Sequence, residues 1–173
     1  MVSSRAKFGA ILVLVLTTTA TARVAADTSP CGSAAYHSFD FTLGTWNVTD
    51  PKGNSRGTAT VKQSLDGCAV VESWTAPDGH RGTNIDAFSS DDARWHRFFV
   101  DNKGHVHVFE GIAASGVVRY AGTSTGSKGQ PVLNRLLIRA GPSGTMLQTW
   151  QQSGDRGTTW IVIFSDRYTP SKG

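Results

Sequence analysis

Turn-forming residues interrupt the sequence at short, regular intervals from Asp50 onward. They cluster in stretches such as Asp50–Gly53, Pro77–Gly79 and Asn102–Gly104, which supply the residue types that β-turns require. The segments between the turns are short and rich in valine, threonine, phenylalanine, tryptophan and isoleucine, as strands are. No segment keeps a helical apolar period for long. The pattern therefore predicts an all-β protein.

The segments between the turns are ten predicted strands. Their predicted bounds are 43–50, 56–64, 68–76, 82–89, 94–101, 105–111, 116–124, 131–140, 144–153 and 158–168. Ten hairpin-linked strands with no helix between them favour an up-and-down antiparallel sheet, which closes into a barrel to remove its edges. A two-sheet sandwich is the alternative architecture. The one short helical turn that we expect lies near Ser33–Ser38.

The first 26 residues have the pattern of a signal peptide. Arg5 and Lys7 precede an apolar stretch, 8–16, that is too short to span a bilayer, and small residues follow at 24–26. We therefore predict a signal peptide at 1–26, a single domain at 27–173 and a secreted or periplasmic location. No later segment has the length and apolarity of a membrane anchor.

Removal of this segment changes the charge of the chain. The whole sequence has 17 basic and 13 acidic residues, and the loss of Arg5, Lys7 and Arg23 would leave 14 basic against 13 acidic. A nearly neutral protein gives no reason to expect nucleic acid or an anionic membrane as a partner.

Cys31 and Cys68 are the two cysteines of the sequence. In an exported protein the default expectation for such a pair is a disulfide, and two free thiols are the alternative. The bridge would hold a short N-terminal arm against the barrel.

Glu72 is the strongest candidate for a functional residue. It alternates with Val70 and Trp74 on the third predicted strand and therefore shares their face. A carboxylate buried there would need a cationic partner, for which Arg97 and Arg135 are the best candidates. The alternative is a structural ion pair without a role in binding.

Several predicted strands are apolar on both faces, so alternation alone does not say which face is the lumen. Aromatic residues on these strands could line a ligand pocket, although plain core packing would use the same tryptophans. The predicted ligand-binding residues are Glu72, Trp74, Trp95, Arg97, Arg135, Gln148 and Trp150. The His105-x-His107 pair has the spacing of a metal chelate but is read more simply as a polar strand face, so no metal is predicted. Neither a nucleophile elbow nor a phosphate loop is present, and no catalytic residue is assigned.

Several motifs give the chain a family resemblance. They are Cys31…His37-x-Phe39-Asp40-Phe41-x-Leu43-Gly44-x-Trp46-x-Val48, then Leu65–Glu72-x-Trp74, then Trp95…Val100-Asp101-x-x-Gly104, then Gln148-x-Trp150, and finally Trp160…Tyr168. In these the chain resembles a large uncharacterised family of secreted bacterial proteins with a lipocalin-like barrel. The resemblance implies a ten-stranded antiparallel up-and-down calycin-like β-barrel with a short N-terminal arm, and it implies no activity.

The same likeness predicts how one end of the barrel is plugged. In lipocalin-like barrels, a Gly-x-Trp on the first strand, here Gly44 and Trp46, meets an arginine on the last strand, here Arg167. The two side chains would stack as a cation–π pair. Nitrobindin-type barrels are a more distant likeness and bind haem through a late histidine; no histidine follows His107, so no cofactor is predicted.

Three functions agree with these observations. The first is a barrel that binds a small apolar or planar ligand. The second is a cavity enzyme, an isomerase or hydrolase, that uses Glu72 or a histidine as general base. The third is a structural, envelope-associated protein with a filled barrel. A cavity of roughly 300 Å³ or more would speak against the third, and convergence of Glu72 with a histidine or arginine inside it would favour the second.

Overall fold

The computed structural model describes residues 29–171, so the predicted signal peptide lies outside the described residues. Ten strands form one closed barrel. They are β1 (Gly44–Thr49), β2 (Ser55–Ser64), β3 (Ala69–Thr75), β4 (Arg81–Ser89), β5 (Arg94–Asp101), β6 (Val106–Ala114), β7 (Val117–Thr125), β8 (Pro131–Ala140), β9 (Met146–Ser153) and β10 (Ile161–Pro170). Three short 3-10 helices accompany them, at Tyr36–Thr42, Leu65–Gly67 and Pro142–Gly144. No helix in this part of the chain is long and apolar enough to cross a membrane.

Each strand pairs antiparallel with the next, and β10 closes the barrel by pairing with β1. The predicted all-β class, strand number and up-and-down topology are confirmed, and the sandwich alternative is wrong. β6 extends past its predicted end because Gly111 allows β7 to approach closely: a Cβ there would collide with the carbonyl oxygen of Arg119. β10 begins late because Asp155 holds Thr159 in the preceding loop through a side-chain hydrogen bond of 2.6 Å.

The barrel is closed at one end by the 3-10 helix Tyr36–Thr42. Phe39 of this helix is 1 % exposed, and its ring stacks on that of Trp95 with centroids 4.9 Å apart. Trp46 on β1 donates its indole N–H to the carbonyl oxygen of Thr42 at 3.0 Å. The helix and the two indoles together form the floor beneath the barrel lumen.

The predicted Trp46–Arg167 pair is wrong. Arg167 is exposed between Asp166 and Tyr168, which are both buried, so strand alternation points Arg167 to the outer wall. Trp46 instead meets the ring of Tyr168 edge-on, with centroids 6.3 Å apart. Gly44 has a backbone reason to be glycine, since its φ of 142° is one that residues with a Cβ rarely adopt.

The predicted disulfide is present. Cys31 and Cys68 are bonded with their Cα atoms 5.0 Å apart, and Ser29 adds a hydrogen bond of 2.9 Å to the carbonyl oxygen of Asp66. The N-terminal arm is thereby fixed to the β2–β3 turn at the closed end of the barrel.

Candidate functional site

The other end of the barrel holds a cavity of about 600 Å³. The barrel is therefore not filled, and the volume exceeds the roughly 300 Å³ that small-molecule sites need. Aromatic rings make up most of the upper wall, and polar groups lie deeper and at the mouth. The aromatic rings that line the cavity are those of Trp74, His80, Phe99, His105, His107, Phe109, Trp150, Phe164 and Tyr168.

Five of the seven predicted ligand-binding residues line this cavity. They are Glu72, Trp74, Arg97, Gln148 and Trp150. Their strands point them inward because each lies on the same face as buried neighbours. These five residues therefore lie on the inner faces of β3, β5 and β9.

Trp95 and Arg135 lie elsewhere. Trp95 is 2 % exposed and belongs to the closed end, where its indole N–H donates to the Ser38 hydroxyl at 3.1 Å. Arg135 is exposed between two buried residues of β8 and covers the Trp160 ring at 4.0 Å on the outer wall. Neither residue can contact a ligand in the cavity.

An ion pair is buried at the base of the cavity. Arg97 donates to both carboxylate oxygens of Asp86, from Nε at 2.7 Å and from a terminal nitrogen at 2.9 Å. The Tyr120 hydroxyl donates to the same carboxylate at 2.6 Å, and Arg97 is 4 % exposed against 1 % for Asp86. Burial alone would lower the pKa of Arg97, but the charge and hydrogen bonds of Asp86, together with the nearby Tyr120 and Glu72, outweigh it and raise that pKa.

Glu72 completes this cluster. Its Oε2 accepts a hydrogen bond from the Asn84 amide at 2.6 Å, and its Oε1 accepts one from the Tyr168 hydroxyl at 3.1 Å. Arg97 is the neighbouring cation, as expected, but at 4.0 Å and already committed to Asp86. Burial raises the pKa of Glu72, and the opposing charge of Arg97 only partly offsets it. The polar side chains of this cluster are therefore hydrogen-bonded to one another, and they form the bottom of the cavity.

The raised pKa of Glu72 predicts a pH-dependent stability. The folded state keeps a proton on Glu72 that the unfolded chain has lost, so this contribution is present below the ordinary pKa of 4.5 and disappears as the pH rises through the folded value. Glu72→Gln does not ionise. The melting temperature of wild type relative to this variant should therefore fall as the pH rises above the ordinary pKa of 4.5.

Glu110→Gln is the matched control, since Glu110 is the only other glutamate and is exposed on the outer wall. It should not show the pH-dependent difference in thermal denaturation. A difference between wild type and Glu72→Gln that stays constant or grows with pH would contradict the raised pKa.

Histidines surround one carboxylate at the mouth. Asp101 Oδ2 lies 2.9 Å from Nε2 of His80 and 2.8 Å from Nδ1 of His105. Burial alone would raise the pKa of Asp101, but the hydrogen bonds from the two histidines outweigh it and hold that pKa below its usual range. Within residues 29–171 no group of three or more potential ligands has the geometry of a metal site.

His107 lies inside the mouth rather than on its rim. Its ring meets that of Trp150 edge-on, with centroids 4.7 Å apart, and lies alongside Phe99 at 6.0 Å. Burial lowers the pKa of His107, and the nearby His105 lowers it further. His107 therefore adds a neutral, flat surface to the aromatic wall.

Asp166 is a cavity residue that the sequence motifs did not identify as a site. It lies directly across from Gln148 in the β9–β10 register, and both line the cavity. The signal that could have found it is strand alternation, because Phe164, Asp166 and Tyr168 share one face. A β-bulge between Val162 and Phe164 hides that pattern by moving Val162 to the outer wall.

No protein-family model matches the chain, and no curated protein matches it at a significant level. The closed ten-stranded antiparallel barrel is compatible with a calycin-like fold.

Proposed function

We propose that this protein binds a small, planar and mostly apolar molecule inside its barrel. The observation that carries the proposal is the cavity of about 600 Å³, open at one end and lined by aromatic rings. The Trp150 ring is met edge-on by Phe164 at 5.9 Å and by Phe109 at 6.3 Å. Rings fixed at such angles offer both faces and edges to a flat ligand.

An enzyme is the second candidate, and the raised pKa of Glu72 inside the cavity favours it. A carboxyl group whose pKa is raised holds its proton to a higher pH and can donate that proton to a bound substrate. Against this, both oxygens of Glu72 are already engaged by Asn84 and Tyr168. A base or acid that serves a substrate needs an oxygen directed at it, so binding without chemistry is the better-supported function.

Export to a secreted or periplasmic location belongs to the same proposal, as does membership of a secreted bacterial family with a lipocalin-like barrel. Two observations support it. Residues 1–26 have the pattern of a signal peptide, and the Cys31–Cys68 disulfide is the kind of bond that persists in oxidising compartments.

The binding function is tested with the neutral planar fluorophore N-phenyl-1-naphthylamine, which brightens in apolar surroundings. We expect a saturable increase in its fluorescence on titration with the wild-type protein. Ala76→Trp should abolish the increase, because Ala76 lines the mouth of the cavity and an indole there would block entry.

Ala121→Trp is the matched control, since the exposed Ala121 lies on the outer wall of β7. It should bind the fluorophore like wild type. If wild type shows no saturable signal, or if both variants bind equally well, the cavity is not the binding site.

A further inference from the structure

The two sides of the cavity differ in how far their polar groups are satisfied. On the side of β3 to β5, Glu72, Asp86 and Arg97 bind each other and their neighbours. On the side of β9 and β10, the side chain of Gln148 has no hydrogen-bond partner within residues 29–171, and Asp166 has only a long ion pair with Arg56. Buried polar groups are hydrogen-bonded in the great majority of cases, so an unsatisfied pair facing a cavity is a place where a ligand's polar atoms belong.

Gln148 is 4 % exposed and lines the cavity. Among the hydrogen bonds formed within residues 29–171, none involves its side-chain amide. A buried amide offers two donors and one acceptor oxygen. Gln148 therefore presents both kinds of hydrogen-bonding group to whatever enters.

Asp166 faces Gln148 across the strands and is 9 % exposed. Its Oδ1 is buried without a hydrogen-bond donor in the described part of the chain. The nearest cation is Arg56, whose Nε lies 3.6 Å from Oδ1, and whose side chain is 49 % exposed at the rim. This pair is too long for a hydrogen bond and half solvated, so a bound cation can replace Arg56 at small cost.

The charges around the cavity also favour a cation. Two arginines line it, and Arg97 is already neutralised by Asp86. Four carboxyl groups line it as well; they are those of Glu72, Asp78, Asp101 and Asp166. Aromatic faces add to the attraction because their electron-rich surfaces stabilise organic cations. A carboxylate ligand would meet like charge from Asp166 and from Asp78 and Asp101.

We propose that the ligand is a planar aromatic molecule that carries a protonated nitrogen, that its N–H groups bind Asp166 and Gln148, and that the cavity discriminates against aromatic carboxylates. The inference rests on the proposed binding function and adds the chemical class of the ligand. Its flat body lies against Trp150 and Phe164, which form the next inward-facing pair along β9 and β10. The positive nitrogen takes the place that Arg56 now occupies.

The test is calorimetric titration with three probes that share one ring system: 2-naphthylmethylamine, 2-naphthylacetate and the neutral 2-naphthalenemethanol. We expect the amine to bind more tightly than the alcohol and the carboxylate to bind most weakly. Asp166→Asn should weaken the binding of the amine by about 10-fold or more, which is the usual effect of losing a hydrogen bond to a charged group. The affinity of this variant for the alcohol should stay within about 3-fold of the wild-type affinity. Unchanged binding of the alcohol would show that the cavity of the variant is intact.

Asp91→Asn is the control, because Asp91 is exposed in the β4–β5 turn, at the closed end, and should change none of the three affinities. A carboxylate that binds as tightly as the amine overturns the inference, and so does an amine affinity that Asp166→Asn leaves unchanged. In both cases binding of the alcohol would leave the proposed function standing. Failure of all three probes to bind would overturn both.

Discussion

Arg97→Met should lower the free energy of unfolding by about 3–5 kcal/mol, the usual cost of removing one partner of a buried ion pair. The variant leaves the carboxylate of Asp86, 1 % exposed, without its two hydrogen bonds from the guanidinium. It also removes the guanidinium that lies 5.4 Å from the centre of the Tyr120 ring. Urea denaturation followed by tryptophan fluorescence measures the difference.

Arg119→Met is the matched control, since Arg119 is exposed on the outer wall of β7 and should change stability by less than about 0.5 kcal/mol. The double variant Asp86→Leu/Arg97→Met should recover much of the loss, because two apolar residues can replace a buried ion pair. A loss below about 1 kcal/mol for Arg97→Met would mean that the ion pair does not stabilise the barrel.

Removing the disulfide should have the second large effect. The Cys31–Cys68 bond spans 37 residues, and in the chain-entropy model a loop of that size stabilises the fold by about 4 kcal/mol. Cys31→Ser/Cys68→Ser should therefore unfold at a markedly lower urea concentration. Wild type treated with a reductant should shift to the same midpoint, whereas the variant should not respond to it.

The thiol count provides the control for this experiment. Protein isolated without reductant should show no reactive thiol after denaturation, since Cys31 and Cys68 are the only cysteines. Two titratable thiols, or a variant as stable as wild type, would contradict a stabilising bridge.

The strands, and which residues of a strand share a face, could be predicted because turn residues and alternation are local properties of the sequence. Glu72 with Trp74, and Gln148 with Trp150, are found on the inner face as their spacing indicates. The outer faces also carry large apolar residues. Ile85 and Phe98 are cross-strand neighbours on the outer wall, and each is 46 % exposed. Apolar character alone therefore does not identify the lumen.

Depth and pairing along the barrel could not be predicted, because they depend on strand register. Trp95 and Arg97 share a face, yet Trp95 packs against the floor while Arg97 lies beside the cavity. The pairing of Asp86 with Arg97 follows from the β4–β5 register, which places two distant sequence positions side by side. Arg135 was likewise a candidate partner for Glu72 from the sequence. In the structure, β8 directs Arg135 to the outer wall, away from Glu72.

The five tryptophans allow the most direct test of the binding proposal. Isotope labelling of the indole nitrogens gives one N–H signal for each, and the signals can be followed while N-phenyl-1-naphthylamine is added. Trp74 and Trp150 line the cavity, and their two signals should shift in a saturable way. Trp46 and Trp95 in the closed end and Trp160 on the outer wall should not shift. Saturable shifts confined to Trp160, or no shifts at all, would contradict a ligand site inside the barrel.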